Sequence, residues 1–295
     1  MLAWLLRFLL LVEVLALGYL CSVWLGLGWL ASLAGVVIGF LILQALVLGA
    51  AYLVSRLYAS PRPPGIGPLT VAAVWQEYLG FLAFFALIQP FPQLSMGSDA
   101  IGRLPAGKRP VLLVHGYMCN RGYWWWFRRA LRARGFAVAT ISLETPFTDI
   151  EIMAEQLDRR ITALIGETGA DKVMIVSHSM GGLVTRACMR RFGPDRIARF
   201  VTLGGPHQGT VIANFGLGRN SRQMEPGNDW LVDLNANWWP PVPTLSIWST
   251  GDQIIAPQDS GRLARTPERV VPATGHLAMA LSPDILDMVA TELAA

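Results

Sequence analysis

Residues 177–181 read Ser-His-Ser-Met-Gly and follow directly on the apolar run Val173-Met174-Ile175-Val176. A buried strand running into a tight turn with Ser179 at its apex, followed by Gly181 and Gly182 opening a helix, is the layout of a nucleophile elbow. Such a turn lifts a serine Oγ into an open cleft. The first glycine of the usual pattern is replaced by Ser177, which is still small. A serine hydroxyl is a weak nucleophile at neutral pH, so it needs a base to take its proton and an acid to orient that base. The chain has four histidines. His115 ends a strand in Val-His-Gly and reads as a brace for its loop. His178 precedes the serine, and its side chain is expected to point away from that of Ser179. His207 lies in Gly-Gly-Pro-His-Gln-Gly-Thr and is given no chemical step. His276 follows the last strand and precedes the last helix, which makes it the expected base. Asp252 sits on the Thr-Gly-Asp turn after the strand Thr244–Trp248, where open α/β sheets carry ligands and chemistry. It is the expected acid. Asp259 is the alternative, and Asp229 and Asp233 read as solvated loop residues.

Acyl transfer develops an oxyanion, and fixed backbone N–H groups must point at it. Met180, next after the serine and at a helix N-terminus, supplies one. The second is expected from Tyr117, on the loop after Val111–Val114, where Gly116 lets the backbone come close to a substrate.

Five segments together resemble the bacterial triacylglycerol lipases of the α/β-hydrolase superfamily: Val-Leu-Leu-Val-His-Gly-Tyr (111–117), Ser-His-Ser-Met-Gly-Gly (177–182), Leu-Gly-Gly-Pro-His-Gln-Gly-Thr (203–210), Ser-Thr-Gly-Asp (249–252) and Thr-Gly-His (274–276). The resemblance covers roughly 108–295. It implies an α/β-hydrolase fold, a Ser179–Asp252–His276 triad, oxyanion donors at Tyr117 and Met180, and hydrolysis of an acyl or lipid ester through an acyl-enzyme, with no metal or organic cofactor. A thioesterase or transacylase on the same triad is the alternative enzyme, and a non-catalytic membrane scaffold the alternative of another class. No Cys/His cluster has metal-ligand spacing.

The elements that must position these residues alternate from Pro110 onward between short apolar runs and helix-like segments. That is the signature of an α/β protein with a mostly parallel sheet. The expected strands are Val111–Val114, Ala137–Leu143, Val173–Val176, Phe200–Leu203, Thr244–Trp248 and Arg269–Pro272. The expected helices are Trp124–Arg134, Ile150–Ile165, Met180–Phe192 and Leu277–Ala294. Thr210–Pro243 shows no clear periodicity and reads as a lid or binding loop.

The chain is 53% hydrophobic and only 15% charged, against about a quarter charged in soluble domains. The imbalance is local: Val14–Ser55 holds no Asp, Glu, Lys or Arg over 42 residues. As one helix that stretch would measure about 63 Å, twice a bilayer's hydrocarbon core. It is therefore read as two spans, near Leu2–Leu25 and Trp29–Val54, reversing at Gly26 and Gly28, rather than as a signal peptide. Arg7 is expected to snorkel to an interface and Glu13 to face the other helix or a headgroup. A third apolar stretch, Leu69–Ile88, is interrupted by Gln76 and Glu77. It is read as interfacial or capping rather than spanning, with Trp75, Glu77 and Tyr78 at a polar boundary. The expected organisation is residues 1–60 as two transmembrane helices, 61–107 as a linker with the third apolar helix, and 108–295 as the α/β-hydrolase catalytic part. Taken with the resemblance to bacterial lipases, this implies a multi-pass protein of the bacterial inner membrane. Arg7, Arg56 and Arg62 put both ends of the hairpin on the cytoplasmic side. The catalytic part then lies on that side if Leu69–Ile88 does not cross, and on the other if it does. The net charge of +4 divides into +1 for residues 1–107 and +3 for 108–295, far from the dense basic face that nucleic acid requires. Three cysteines make no disulfide framework, although a Cys119–Cys188 bridge is conceivable. Trp124-Trp125-Trp126-Phe127, Trp238-Trp239 and the arginines at 121, 128, 129, 132 and 134 are candidates for lipid contact.

Overall fold

A computed structural model describes residues 1–236 and 238–295; Asn237, in the 210–243 stretch, lies outside the described residues. The chain opens with α1 (Leu2–Tyr19), which continues as a π-helical turn to Trp24, and α2 (Trp29–Leu57). After the proline-rich connector come α3 (Val71–Leu82), extended by a π-helical segment to Ile88, and the short α4 (Pro92–Met96). Leu2–Trp24, Trp29–Leu57 and Val71–Ile88 are each long and apolar enough to cross a membrane. The turn between α1 and α2 falls where Gly26 and Gly28 predict it, and Gly26 takes a positive φ of 63° there. The two helices pack closely: a Cβ at Gly39 would come within 2.9 Å of the Leu17 side chain. A residue without a side chain lets two helices approach this closely. Gln44 Nε2 donates to Glu13 Oε1 at 2.8 Å, so Glu13 faces the neighbouring helix.

The α/β part follows as β1 (Val111–Val114), α5 (Trp125–Ala133), β2 (Val138–Thr140), α6 (Ile150–Thr168), β3 (Val173–His178), α7 (Met180–Phe192), β4 (Ile197–Leu203), α8 (Arg219–Arg222), α9 (Asp229–Ala236), β5 (Thr244–Ser249), β6 (Glu268–Val271) and α10 (Pro283–Ala294). All six strands lie where apolar runs predict them, with β2 shorter than its run. The sheet order is β2-β1-β3-β4-β5-β6 and every pairing is parallel. From β1 the chain goes outward to β2 and returns to β3 on β1's other side. The C-terminal ends of β1 and β3 thus flank the crevice in which such sheets carry ligands.

The central strands are buried on both faces, which is why they read as unbroken apolar runs rather than alternating ones. One face is covered by α6 and α7, whose Leu157, Leu183 and Val184 share one buried core with Ile175. The other is covered by α5 and α10, and Phe84 from the third apolar helix joins that core. Helix ends are locally specified: the Asp149 side chain accepts from Glu151 N at the start of α6, and Gly169, with φ 71°, ends it.

The hairpin docks at both ends. The Met1 amine meets Glu144 at 2.8 Å. Arg7 Nε donates to Pro90 O at 2.7 Å, so this guanidinium is held by protein as well as placed near a helix end. At the far end Ser55 is buried against the α/β part. The 210–243 stretch is not structureless: α8 and α9 and a 3-10 turn at Val211–Phe215 divide it. All three cysteines are free and buried, so Cys119 and Cys188 do not pair. Trp124 and Phe127 are fully buried core residues rather than lipid contacts, and Trp238 is buried beneath Arg186 at 4.5 Å. Arg121 and Arg128 pair with Asp99, Arg134 with Asp287, Arg132 donates to Val138 O, and the Arg129 guanidinium lies 5.4 Å over the Trp125 ring, so all five arginines around α5 are engaged within the protein.

Candidate active site

Ser179 joins β3 to α7 in a backbone conformation (φ 57°, ψ −131°) that side-chain-bearing residues rarely adopt. That strain costs on the order of 1–3 kcal/mol and persists only where the surroundings enforce it. Here Ser179 N donates to Leu203 O and Gly182 N donates to Ser179 O, both at 2.9 Å. The turn also needs space that only glycines leave. A Cβ at Gly181 would lie 2.7 Å from the carbonyl oxygens of Val114 and His115, and one at Gly116 would lie 2.6 Å from Ser179 Cβ. The Tyr117 and Met180 amides flank this turn from the ends of β1 and β3. Among the described residues neither N–H donates a hydrogen bond, which leaves both available to an incoming oxygen.

His276 and Asp252 stand together at the ends of β6 and β5. His276 Nδ1 lies 2.8 Å from Asp252 Oδ2, with both side chains buried. The other carboxylate oxygen, Oδ1, accepts from Ile254 N and Ile255 N, each at 2.8 Å. This arrangement orients the carboxylate and gives the ring a proton at Nδ1, leaving Nε2 as the acceptor. His276 and Ser179 border one cavity of about 290 Å³. Among the described residues no direct hydrogen bond joins them; such contacts commonly tighten only when substrate binds. Asp259, the alternative acid, sits on a 3-10 turn away from the ring, and its N–H meets Ser60 Oγ.

The remaining histidines are held neutral as structural groups. His115 Nδ1 donates to Gly116 O at 2.9 Å and Nε2 accepts from Leu143 N at 2.9 Å. Both nitrogens are used, as expected of a loop brace. His207 Nε2 meets Thr202 Oγ1 at 3.2 Å. The ring of His178, expected to turn away from Ser179, borders the same cavity. It packs 4.4 Å from the His276 ring, centroid to centroid, and its Nε2 donates to His276 O at 3.0 Å. Burial pulls His115 down to about 4 and holds His178 and His207 well below 6.5. In the unfolded chain each takes up a proton near pH 6.5, whereas the folded protein does not. Stability therefore falls as pH drops from about 6.5 to about 4, by up to about 1.4 kcal/mol per pH unit for each histidine. Denaturant melts of the full chain in detergent at pH 7 and pH 5 read this directly. His115→Gln is expected to give a shallower pH dependence than the unaltered protein.

Residues that sequence reasoning does not place at the site hold both Asp252 and His276. Glu77, on α3, is fully buried, whereas the sequence suggests a polar boundary for it. Its Oε1 accepts from Leu277 N at 2.9 Å and from Gln253 Nε2 at 2.6 Å, and its Oε2 accepts from Ala278 N at 2.8 Å. Gln253 Oε1 in turn accepts from His276 N at 3.1 Å. The third apolar helix thus grips the loop that carries the histidine. On the acid side, the Asp252 carbonyl accepts from Ser55 Oγ of α2 at 3.3 Å and from Gln258 Nε2 at 3.1 Å. The one signal in the sequence was the lone glutamate in an otherwise apolar helix, a placement that calls for a partner.

Comparison with known proteins finds lipase and thioesterase relatives over part of the chain. Residues 110–239 match the palmitoyl protein thioesterase family. Triacylglycerol lipases from Pseudarthrobacter phenanthrenivorans and Burkholderia plantarii are each 31% identical over 118 residues, which is 37% of this chain. The match spans about a third of those relatives, 37% and 33% of their lengths. Among solved structures, the mature lipase BlEst2 of Bacillus licheniformis superposes with a TM-score of 0.57 at 17% identity, over 67% of this chain and 96% of that one. The phospholipase PlaB of Legionella pneumophila gives 0.53 at 14% identity, over 64% and 60%. At these identities the structural likeness establishes the fold.

Proposed function

Since the chain is a lipase-like α/β-hydrolase with three long apolar helices at its N-terminal end, we propose that it is a membrane-anchored serine hydrolase that cleaves a carboxylic acyl ester through an acyl-enzyme. The observation that carries this reading is the convergence on one cavity of the strained Ser179 and the Asp252-oriented His276. Ser179 Oγ attacks the ester carbonyl carbon while its proton passes to His276 Nε2. The carbonyl oxygen gains charge and is met by the Tyr117 and Met180 N–H groups. As the carbon–oxygen bond to the leaving alcohol breaks, His276 returns the proton to that oxygen. Water then repeats the sequence on the acyl-enzyme: its proton goes to His276, its oxygen to the acyl carbon, and the proton returns to Ser179 as the free acid leaves. Asp252 keeps the imidazole in the required tautomer and stabilises its charged form. The residues themselves perform every step, so the mechanism invokes no metal or organic cofactor.

The α1–α2 hairpin is the membrane anchor in this reading, with both ends against the α/β part. The burial of Glu77 in the histidine loop supports α3 as a cap rather than a third span. Together with Arg7, Arg56 and Arg62, that favours a cytoplasmic catalytic part. Labelling of the detergent-solubilised full chain with a fluorophosphonate tests the assignment. A single phosphonylated peptide carrying Ser179 is the expected product, and absence of labelling would speak for a non-catalytic scaffold. The match to the palmitoyl protein thioesterase family favours a second reading, in which the same triad cleaves a thioester. Comparing kcat/KM for oxyester and thioester substrates of equal acyl length separates the two.

A further inference from the structure

The cavity at Ser179 is apolar, and part of its wall comes from the membrane hairpin. Val47, Leu48 and Ala51 of α2 line it, as do Phe81 and Phe85 of the third apolar helix. Counting from Trp29, about 20 residues of α2 cover about 30 Å, the thickness of a bilayer's hydrocarbon core. That length ends at Leu48, so the cavity lies where a span starting at Trp29 would leave the hydrocarbon. Its rim is apolar and open: Val47 is 50% exposed and Phe215, from the 210–243 stretch, 74%. A second cavity of about 210 Å³ lies between α1, α2 and the third helix. Phe81, Phe85 and Met118 border both cavities. A space of about 290 Å³ is at the small end for ligand sites. It suits one acyl chain better than several.

We propose that the hairpin is a working part of the acyl site: α2 forms the wall along which a single acyl chain of a membrane-resident ester passes from the bilayer to Ser179. Leu48 and Ala51 set how long a chain is accepted, and Phe85 closes the far end. This rests on the reading of Ser179 as the nucleophile and adds the substrate's source and the residues that select it. A soluble ester that enters from water has no need of a wall made by a transmembrane helix. A bilayer lipid meets that wall as it leaves the hydrocarbon.

The test uses the full chain and p-nitrophenyl esters from acetate to palmitate. Ala51→Trp is expected to lower the ratio of kcat/KM for decanoate over acetate at least tenfold. Phe85→Ala, which removes one of the side chains bordering both cavities, is expected to raise the ratio for palmitate over decanoate at least threefold. Leu33→Trp, on a lipid-facing part of α2 that is 60% exposed, is expected to leave the chain-length profile in place. A second measurement needs no variant. In phosphatidylcholine vesicles containing a diazirine-bearing acyl ester, photolysis is expected to mark Leu48 and Ala51. Prior reaction with a long-chain alkyl fluorophosphonate should then remove that mark. Unchanged profiles in both cavity variants, or marking that the fluorophosphonate does not displace, overturn the inference even where acetate hydrolysis remains. Absence of Ser179-dependent acetate hydrolysis in the unaltered chain sinks the serine-hydrolase reading itself.

Discussion

Ser179→Ala is expected to lower kcat/KM for p-nitrophenyl butyrate by at least about 10³-fold, since acyl transfer would then have no nucleophile and only binding and oxyanion contacts would remain. The fold should survive the change. Ser179 makes no side-chain capping bond to α7, and alanine keeps the same Cβ in the same backbone conformation. The two bonds that hold the turn are backbone bonds to Leu203 and Gly182, which the substitution leaves alone. A shift in stability within about 0.5 kcal/mol is therefore expected. Paired measurements of ester turnover and thermal unfolding by circular dichroism check both halves. Undiminished turnover in a folded variant would remove Ser179 from the mechanism.

Glu77→Ala is expected to damage stability and turnover together. The substitution leaves Leu277 N, Ala278 N and Gln253 Nε2 buried without their acceptor. Each unpartnered buried donor costs about 1–3 kcal/mol, so a loss of about 3 kcal/mol or more is expected in denaturant melts. Gln253 also holds His276 N, so the histidine loop loses its register against Asp252. Small displacements of a catalytic group cost about 10²-fold in rate. The expected loss is thus in kcat, with KM changing little, because Glu77 does not border the acyl cavity. Glu77→Gln keeps one acceptor oxygen and should recover part of both quantities. If kcat is retained in a folded Glu77→Ala protein, the α3 contact holds the structure together without positioning the base.

What could be read without a structure was what short stretches encode. The elbow around Ser179 occupies five residues, and its meaning depends on a strand before it and glycines after it. The parallel sheet was legible because its strands are buried on both faces and so appear as apolar runs between helical segments. The 42 charge-free residues made a helical hairpin legible, since as one helix they would measure about twice a bilayer's hydrocarbon core. Asp252 and His276 followed from their places after strands. The interior of 210–243 was less legible, because α8 and α9 are too short to show a helical period. Trp124 and Phe127 looked like membrane contacts because an aromatic run reads alike in a core and at an interface.

The order of elements along the chain, and the residues able to do chemistry, were set by sequence alone. Only the tertiary structure decided what holds Asp252 and His276 in place and what lines the space before Ser179. Glu77 meets Gln253 across 176 positions, and Gln258 meets Ser55 across 203. No local pattern records such pairs. A glutamate in an apolar helix has the same periodicity whether it faces a headgroup, a neighbouring helix or two buried amides. Its partner is chosen when the helix docks, because burying that carboxyl group is tolerable only where donors wait for it.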